Sequence, residues 1–209
     1  MIQKGNLTIR ELNLSRRAIS HYDKNLELDM VLVKRIISDA FQAPSTFNLQ
    51  PWKILMVKSS DAKKRLYDLA YKQKKILDAP LTLIIVGDKE GYESDNSMWK
   101  ETFEDKGIEE TDRIIDFVRE LYGNTEKKRL KFAESHGGLL AMNLMYLFKG
   151  NGIDASPMSG IEFEKIKKEF KLKDSEEVVM LLAVGYQDES ISLATKRRRK
   201  AYEEVVTEL

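Results

Sequence analysis

The chain has 209 residues, of which 42% are hydrophobic and 33% charged, with a formal net charge of +1; this is the balance of one globular domain large enough to bury a sizeable core. A near-neutral charge creates no global field toward nucleic acid or an anionic membrane, and no apolar run approaches the roughly 18–20 residues that a helical membrane span needs. The absence of cysteine excludes disulfides, iron–sulfur clusters, thiolate metal sites and cysteine nucleophiles, and agrees with a reducing cytoplasm.

The opening MIQKGNLTIREL is mixed polar and lacks the apolar core of a signal peptide. Val33, Ile36, Ile37, Ala40 and Phe41 recur at helical spacing and predict a helix over 29–41. QAPSTFNLQP then interrupts it with two prolines and turn-forming Ser, Thr and Asn. KILMVK at 53–58 reads as a strand, 61–78 as a lysine-rich helix, and LTLIIVG at 81–87 as a strand buried on both faces. Residues 89–107 read as an irregular or partly helical excursion. A helix follows, with Ile114, Phe117, Val118, Leu121 and Tyr122 on one stripe. The most apolar helix spans 126–149; it is apolar nearly all round, which places it centrally or at a subunit interface, and GNG at 150–152 stops it. An extended stretch leads to SPMSG at 156–160, then a helix over 161–171, a buried strand over 178–186 and a polar, basic tail. Long helices and few strands, without regular alternation, predict one α+β domain over 1–209 rather than a doubly wound sheet.

Several chemistries have no motif. GxGxxG and the P-loop pattern are absent, so a nicotinamide has to share a site with another cofactor. His21 and His136 lack zinc spacing, no GxSxG elbow occurs, and no metal site is expected. Four segments remain. SRRAISHYD at 15–23 offers forked guanidinium donors and hydroxyls suited to a phosphate, or is a solvated basic turn. APSTFNLQPW at 43–52 gathers Ser45, Thr46, Asn48 and Gln50, which can present amides to a planar heterocycle, or is an ordinary helix–strand connection. SPMSG precedes a helix, whose N-terminal donors suit an electron-rich ring edge. KRRRK at 196–200 suits a phosphate better than nucleic acid, because no aromatic-rich basic stripe accompanies it.

In this order and spacing the four segments resemble the nitroreductase family of flavoproteins over nearly the whole chain. APSTFNLQPW is the most specific part, and GGLLAMNLMYLFKGNGIDASPMSG the second. The resemblance implies an α+β fold with a central mixed or antiparallel sheet flanked by helices, in an intertwined homodimer with FMN at the subunit interface. It implies FMN contacts from Arg16, Arg17, Ala18 and Ser20 at the phosphate and ribityl chain, and from Lys196 and Arg198 on the same phosphate. Lys72 and Lys75, on the following helix, match positions at the ribityl chain or pyrimidine edge. Pro44, Ser45, Thr46 and Asn48 match a loop donated by the partner subunit, and Pro157, Met158, Ser159 and Gly160 the turn beside flavin N5. The chain departs from the family at Ala18 and Ser20, where the motif often reads RRSIR, and at Ser159, where some members carry glutamate. The excursion at 89–125 aligns poorly and matches a lid over the substrate pocket.

The implied activity is a ping-pong exchange, from NAD(P)H through the flavin to a small acceptor such as a nitroaromatic or quinone, with no side chain as acid or base. Alternatives are a reductive dehalogenase or other specialised flavin oxidoreductase and, in another class, a non-catalytic flavin-binding protein. A cytoplasmic location with no nucleic-acid or membrane partner is expected.

Overall fold

The apolar run at 81–87 becomes the centre of a four-stranded sheet in the computed structural model, which describes residues 8–209. The first seven residues of the segment read as free of signal-peptide character lie outside the described range. Strand β2 (Leu81–Asp88) pairs with β1 (Trp52–Val57) on one side and β4 (Glu176–Gly185) on the other, and β3 (Asp154–Met158) closes the far edge of β4. All three pairings are antiparallel and the spatial order is β1-β2-β4-β3, so the sheet is antiparallel rather than mixed. β2 is buried on both faces from Leu81 to Gly87.

The two-residue period of the strands divides the core. Leu81, Leu83 and Ile85 of β2, with Leu182 and Val184 of β4, face α2 (Met30–Ala40) and α7 (Glu126–Gly150). Ile84, Val86, Leu181 and Ala183 face the other way, against Leu66 of α3 (Ser60–Asp68), Ile76 of α4 (Lys75–Asp78) and Ile166 of α8 (Phe163–Glu169). Asp29 caps α2 by accepting the amides of Val31 and Leu32, and Thr125 caps α7 at Lys128. α7 ends where Gly152 takes a positive φ of 75°.

α7 lies almost in contact with the sheet backbone, and two glycines allow it. A Cβ on Gly87 of β2 would stand 2.3 Å from the carbonyl oxygen of Ala133, and one on Gly137 of α7 would stand 2.6 Å from Val179 Cγ2.

Three expectations change. The helix over 61–78 is two helices, because Tyr71 and Lys72 adopt left-handed backbone (φ 49° and 55°) and turn the chain. That turn lets Leu66 and Ala70 on one side and Ile76 and Ala79 on the other reach the same core, so packing overrides helix propensity. The excursion is partly helical as expected, with α5 (Trp99–Lys106), and the helix that follows is α6 (Ile108–Val118), which runs into a π-helical turn over Arg119–Gly123, but its face differs. The buried face of α6 is Thr111, Ile115 and Val118, whereas Phe117 and Leu121, expected on the inner stripe, are exposed. Finally, Pro157 and Met158 end strand β3 rather than form a turn, and α8 starts only at Phe163. The short helix α1 (Ile9–Ser15) packs on α7 through a Tyr146–Asn13 hydrogen bond of 2.7 Å.

Candidate active site

Helix α1 stops at Ser15, and its cap Arg16 turns to extended backbone (φ −61°, ψ 127°), which sends Arg16 and Arg17 away from the helix axis. The C-terminal tail returns beside them. A cleft of about 260 Å³ is lined by Asn13, Leu14, Arg16, Arg17, Lys196, Arg197 and Arg199: five cations and no carboxylate. Two hydrogen bonds tie tail to start, from Arg17 to the Ala194 carbonyl and from Lys196 to the Leu14 carbonyl. The Nη1 of Arg16 is buried and has no hydrogen-bond partner among the described residues. A buried guanidinium donor without an acceptor is costly, and an anion in the cleft relieves it.

Ala18 and Ser20 are exposed and line an adjoining cleft of about 230 Å³ that shares Arg17. Ile19, between them, is buried and fixes their direction. Arg198 does not line the cationic cleft. Its Nη1 and Nη2 donate to the two carboxylate oxygens of Glu204 at 2.6 and 3.1 Å, while its neighbours Arg197 and Arg199 face the cleft.

The segment 43–52 is an irregular loop with one 3₁₀ turn over Thr46–Asn48. Phe47, Asn48 and Gln50 all have positive φ (48°, 55° and 48°), a region that side-chain-bearing residues rarely enter. Internal bonds hold it: the Gln50 amide donates to Ser45 Oγ at 3.0 Å, and Gln50 Nε2 donates to Asn48 Oδ1 at 3.3 Å. External ones add to these. Asn96 Nδ2 donates to the Leu49 carbonyl at 2.9 Å, and the Thr46 amide donates to His136 Nε2 of α7 at 3.1 Å. Pro44 and Asn48 are exposed, and Ser45 and Thr46 half-buried. The loop lines neither of the two clefts beside Arg17.

Lys72 is exposed in the left-handed turn between α3 and α4 rather than on a helix, and Lys75 opens α4. Lys75 is half-buried, and desolvation pulls its ammonium below the usual lysine range. Gln73, between them, donates to the Gly160 carbonyl at 2.8 Å, and the Glu162 amide donates to the Leu69 carbonyl at 2.9 Å. The turn carrying Lys72 and Lys75 is therefore stapled to the one carrying exposed Ser159 and Gly160, with Met158 buried beneath and Pro157 half-buried.

The structure thus brings Arg16, Arg17 and Lys196 together, sets Ala18 and Ser20 beside them, and joins the Lys72–Lys75 and Ser159–Gly160 turns. The sequence reading missed Arg197, Arg199, Gln73, Asn96 and His136. Only the first two had a signal, the run KRRRK; the others act through contacts distant in sequence, such as the 90 residues between Thr46 and His136.

The layered α+β fold thus carries a cationic cleft suited to an anionic ligand, beside a strained loop and two stapled turns. The chain belongs to the nitroreductase family, whose profile matches residues 14–186. The family is one of oxidoreductases, and its cofactor is FMN. Among its relatives, the CLA biosynthesis enone reductase of Lactiplantibacillus plantarum is 27% identical over 186 residues, covering 86% of each chain. An NADH dehydrogenase of Thermus thermophilus is 27% identical over 179 residues, 84% of this chain and 85% of its own. Among solved structures, ydfN of Bacillus subtilis superposes with a TM-score of 0.86 at 26% identity, covering 96% of this chain and 98% of that one. A protein of Exiguobacterium sibiricum, solved in complex with FMN, has the same fold, with a TM-score of 0.82 at 24% identity over 96% and 97% of the two chains.

Proposed function

We propose that this chain is an FMN-dependent oxidoreductase that passes reducing equivalents from NAD(P)H to a small acceptor, a nitroaromatic or quinone, in the cytoplasm and as a homodimer. The observation that carries the reading is the cationic cleft with its buried, unpartnered Arg16 Nη1. An FMN phosphate carries close to two negative charges, and forked guanidinium donors match its oxygens. Arg16, Arg17, Lys196, Arg197 and Arg199 would hold the phosphate, and Ala18 and Ser20, in the adjoining cleft that shares Arg17, would meet the ribityl chain.

Lys72 and Lys75 serve the ribityl chain or pyrimidine edge, and Pro157, Met158, Ser159 and Gly160 the N5 edge, with Gln73 stapling the two turns together. A positive charge on half-buried Lys75 favours electron density on a ring beside it. Pro44, Ser45, Thr46 and Asn48 line neither cleft of their own chain, which supports their donation to the partner's site. Bound FMN supplies the two-electron relay between donor and acceptor; the side chains bind, orient and exclude water, and none serves as acid or base.

A cleft of about 360 Å³ between α5 and α6, lined by Trp99, Phe103 and Ile115 together with Asp95, Lys100 and Asp112, supports the excursion 89–125 as a wall for a small acceptor. Likeness to an enone reductase adds α,β-unsaturated ketones to the acceptors worth assaying, beside halogenated phenols for the dehalogenase alternative. The test is the absorption spectrum of the purified protein, followed anaerobically. A yellow protein bleached by NADH or NADPH and reoxidised by a nitroaromatic or quinone is expected; a colourless protein that takes up no FMN refutes the reading.

A further inference from the structure

Within the six residues 45–50, three non-glycine residues occupy left-handed backbone, Phe47 among them. Such conformations persist only where the surroundings over-determine them. Most of the restraints are local or come from the neighbouring excursion: Ser45 Oγ on the Gln50 amide, Asn96 on the Leu49 carbonyl, and Trp99, whose ring centroid lies 5.9 Å from that of Phe47. One restraint ties the loop to α7, the helix packed directly on the sheet, and it is a side chain.

His136 is buried in α7. Its Nδ1 lies 2.7 Å from the carbonyl oxygen of Phe132, which can only accept, so Nδ1 carries the proton. The lone pair is then on Nε2, which meets the Thr46 amide at 3.1 Å and the Thr46 hydroxyl at 3.2 Å. The ring of Phe132 packs against the imidazole at a centroid distance of 4.4 Å and shields it from water. The geometry therefore selects one neutral tautomer, with both nitrogens used and the acceptor nitrogen aimed at the loop.

We propose that His136 is the positioning residue of this loop: as the neutral Nδ1–H tautomer it holds the Thr46 amide, and so sets where Ser45, Thr46 and Asn48 meet FMN. The inference rests on the FMN reading above and adds a residue that neither the loop motif nor the cationic segments contain.

The test uses the full-length protein and two isosteres. In His136→Gln the amide oxygen reaches the place of Nε2 and keeps the acceptor for Thr46. In His136→Asn the shorter amide reaches the place of Nδ1, keeps the bond to Phe132 and leaves the Thr46 amide unmatched. FMN affinity is read by flavin fluorescence quenching, and ring placement by the visible absorption and circular dichroism of the bound flavin. His136→Gln is expected within about threefold of wild type with an unchanged spectrum. His136→Asn is expected to bind FMN about tenfold more weakly with a displaced band, the scale of one lost hydrogen bond to a buried donor.

A purely structural histidine would affect both variants alike, so equal losses, or no loss in His136→Asn, overturn the proposal. If His136→Asn does not accumulate, ¹⁵N spectra of the wild type decide it. A neutral Nδ1–H ring whose Nε2 resonance and Thr46 amide both move on FMN addition supports it; a protonated or Nε2–H ring overturns it. Wild-type protein that takes up no FMN overturns the parent reading and this one with it. FMN uptake with indistinguishable variants overturns this inference alone.

Discussion

Arg16 and Arg198 carry the same guanidinium and stand in opposite circumstances. Arg16 Nη1 is buried without an acceptor, whereas Arg198 has both terminal nitrogens on Glu204. A charge-assisted bond contributes about 1.5–3 kcal/mol, so Arg16→Ala is expected to weaken FMN binding by roughly one to two orders of magnitude. The same change should leave the apoprotein's melting temperature unchanged or slightly higher, since it removes an unsatisfied group. Arg198→Ala should change FMN affinity by less than about threefold, the range of an exposed ion pair. Fluorescence titration of the two variants checks this, and equal losses would contradict the placing of Arg198 outside the cleft. Nothing in five consecutive cations tells which guanidinium meets a glutamate six residues on, which is why sequence located the basic patch and Lys196 but not which arginines line the cleft.

His136 also gives stability a pH dependence. Burial lowers its pKa below the ordinary 6.5, so the unfolded chain binds that proton more readily than the native one. The contribution is complete above the unfolded value, falls as pH drops below about 6.5, and levels off below the native value. Glu126, held near a pKa of about 2 by Lys89 and Arg129, loses its contribution only as pH falls below the ordinary carboxylate range. Thermal melts should therefore show two separate declines on acidification. The upper one should vanish in His136→Gln, and its persistence there would mean another group is responsible.

At the scale of elements, the glycines between α7 and the sheet set how close helix and strands come. An alanine at position 87 drives its methyl into the backbone of Ala133, which cannot rotate away. At position 137 the clash is with a Val179 methyl, which can yield by changing rotamer. Overpacking of this kind costs about 1–3 kcal/mol or more, so Gly87→Ala should destabilise more than Gly137→Ala in denaturant titrations. The reverse order would show that the helix, not the side chain, gives way.

Legibility follows the same physics. The strands at 53–58, 81–87 and 178–186 and the helices at 29–41 and 126–149 were readable because their apolar periods coincide with what the core requires. The break at Tyr71–Lys72 was not: no glycine or proline marks it, and only the gain from burying Ile76 and Ala79 beside Leu66 accounts for a left-handed turn there. The face of α6 was misjudged because Phe117 and Leu121 are apolar yet exposed. In the candidate site, segments close in sequence to a motif were found, and the partners that hold them from afar were not.

For the whole molecule, surface area carries the argument. The chain exposes 13427 Å², whereas a compact monomer of 24.2 kDa exposes roughly 10,000 Å². The excess sits partly in a tail exposed from Glu189 onward that carries Tyr202, Val205, Val206 and Leu209, and it is joined by exposed Phe47, Phe117 and Leu139. The exposed apolar side chains within this surface are of the kind that an obligate interface covers. Sedimentation equilibrium should therefore give about twice the mass of one chain, with a melting temperature that rises with protein concentration. Truncation after Gln187 removes the tail's exposed Tyr202, Val205, Val206 and Leu209 together with Lys196, Arg197 and Arg199, so FMN binding and dimerisation should be lost in the same step. A truncated chain that stays dimeric while losing FMN would assign the tail to the phosphate alone. A full-length monomer that holds FMN stoichiometrically would remove the two-chain site altogether, because the loop at 44–48 would then have no second copy to serve.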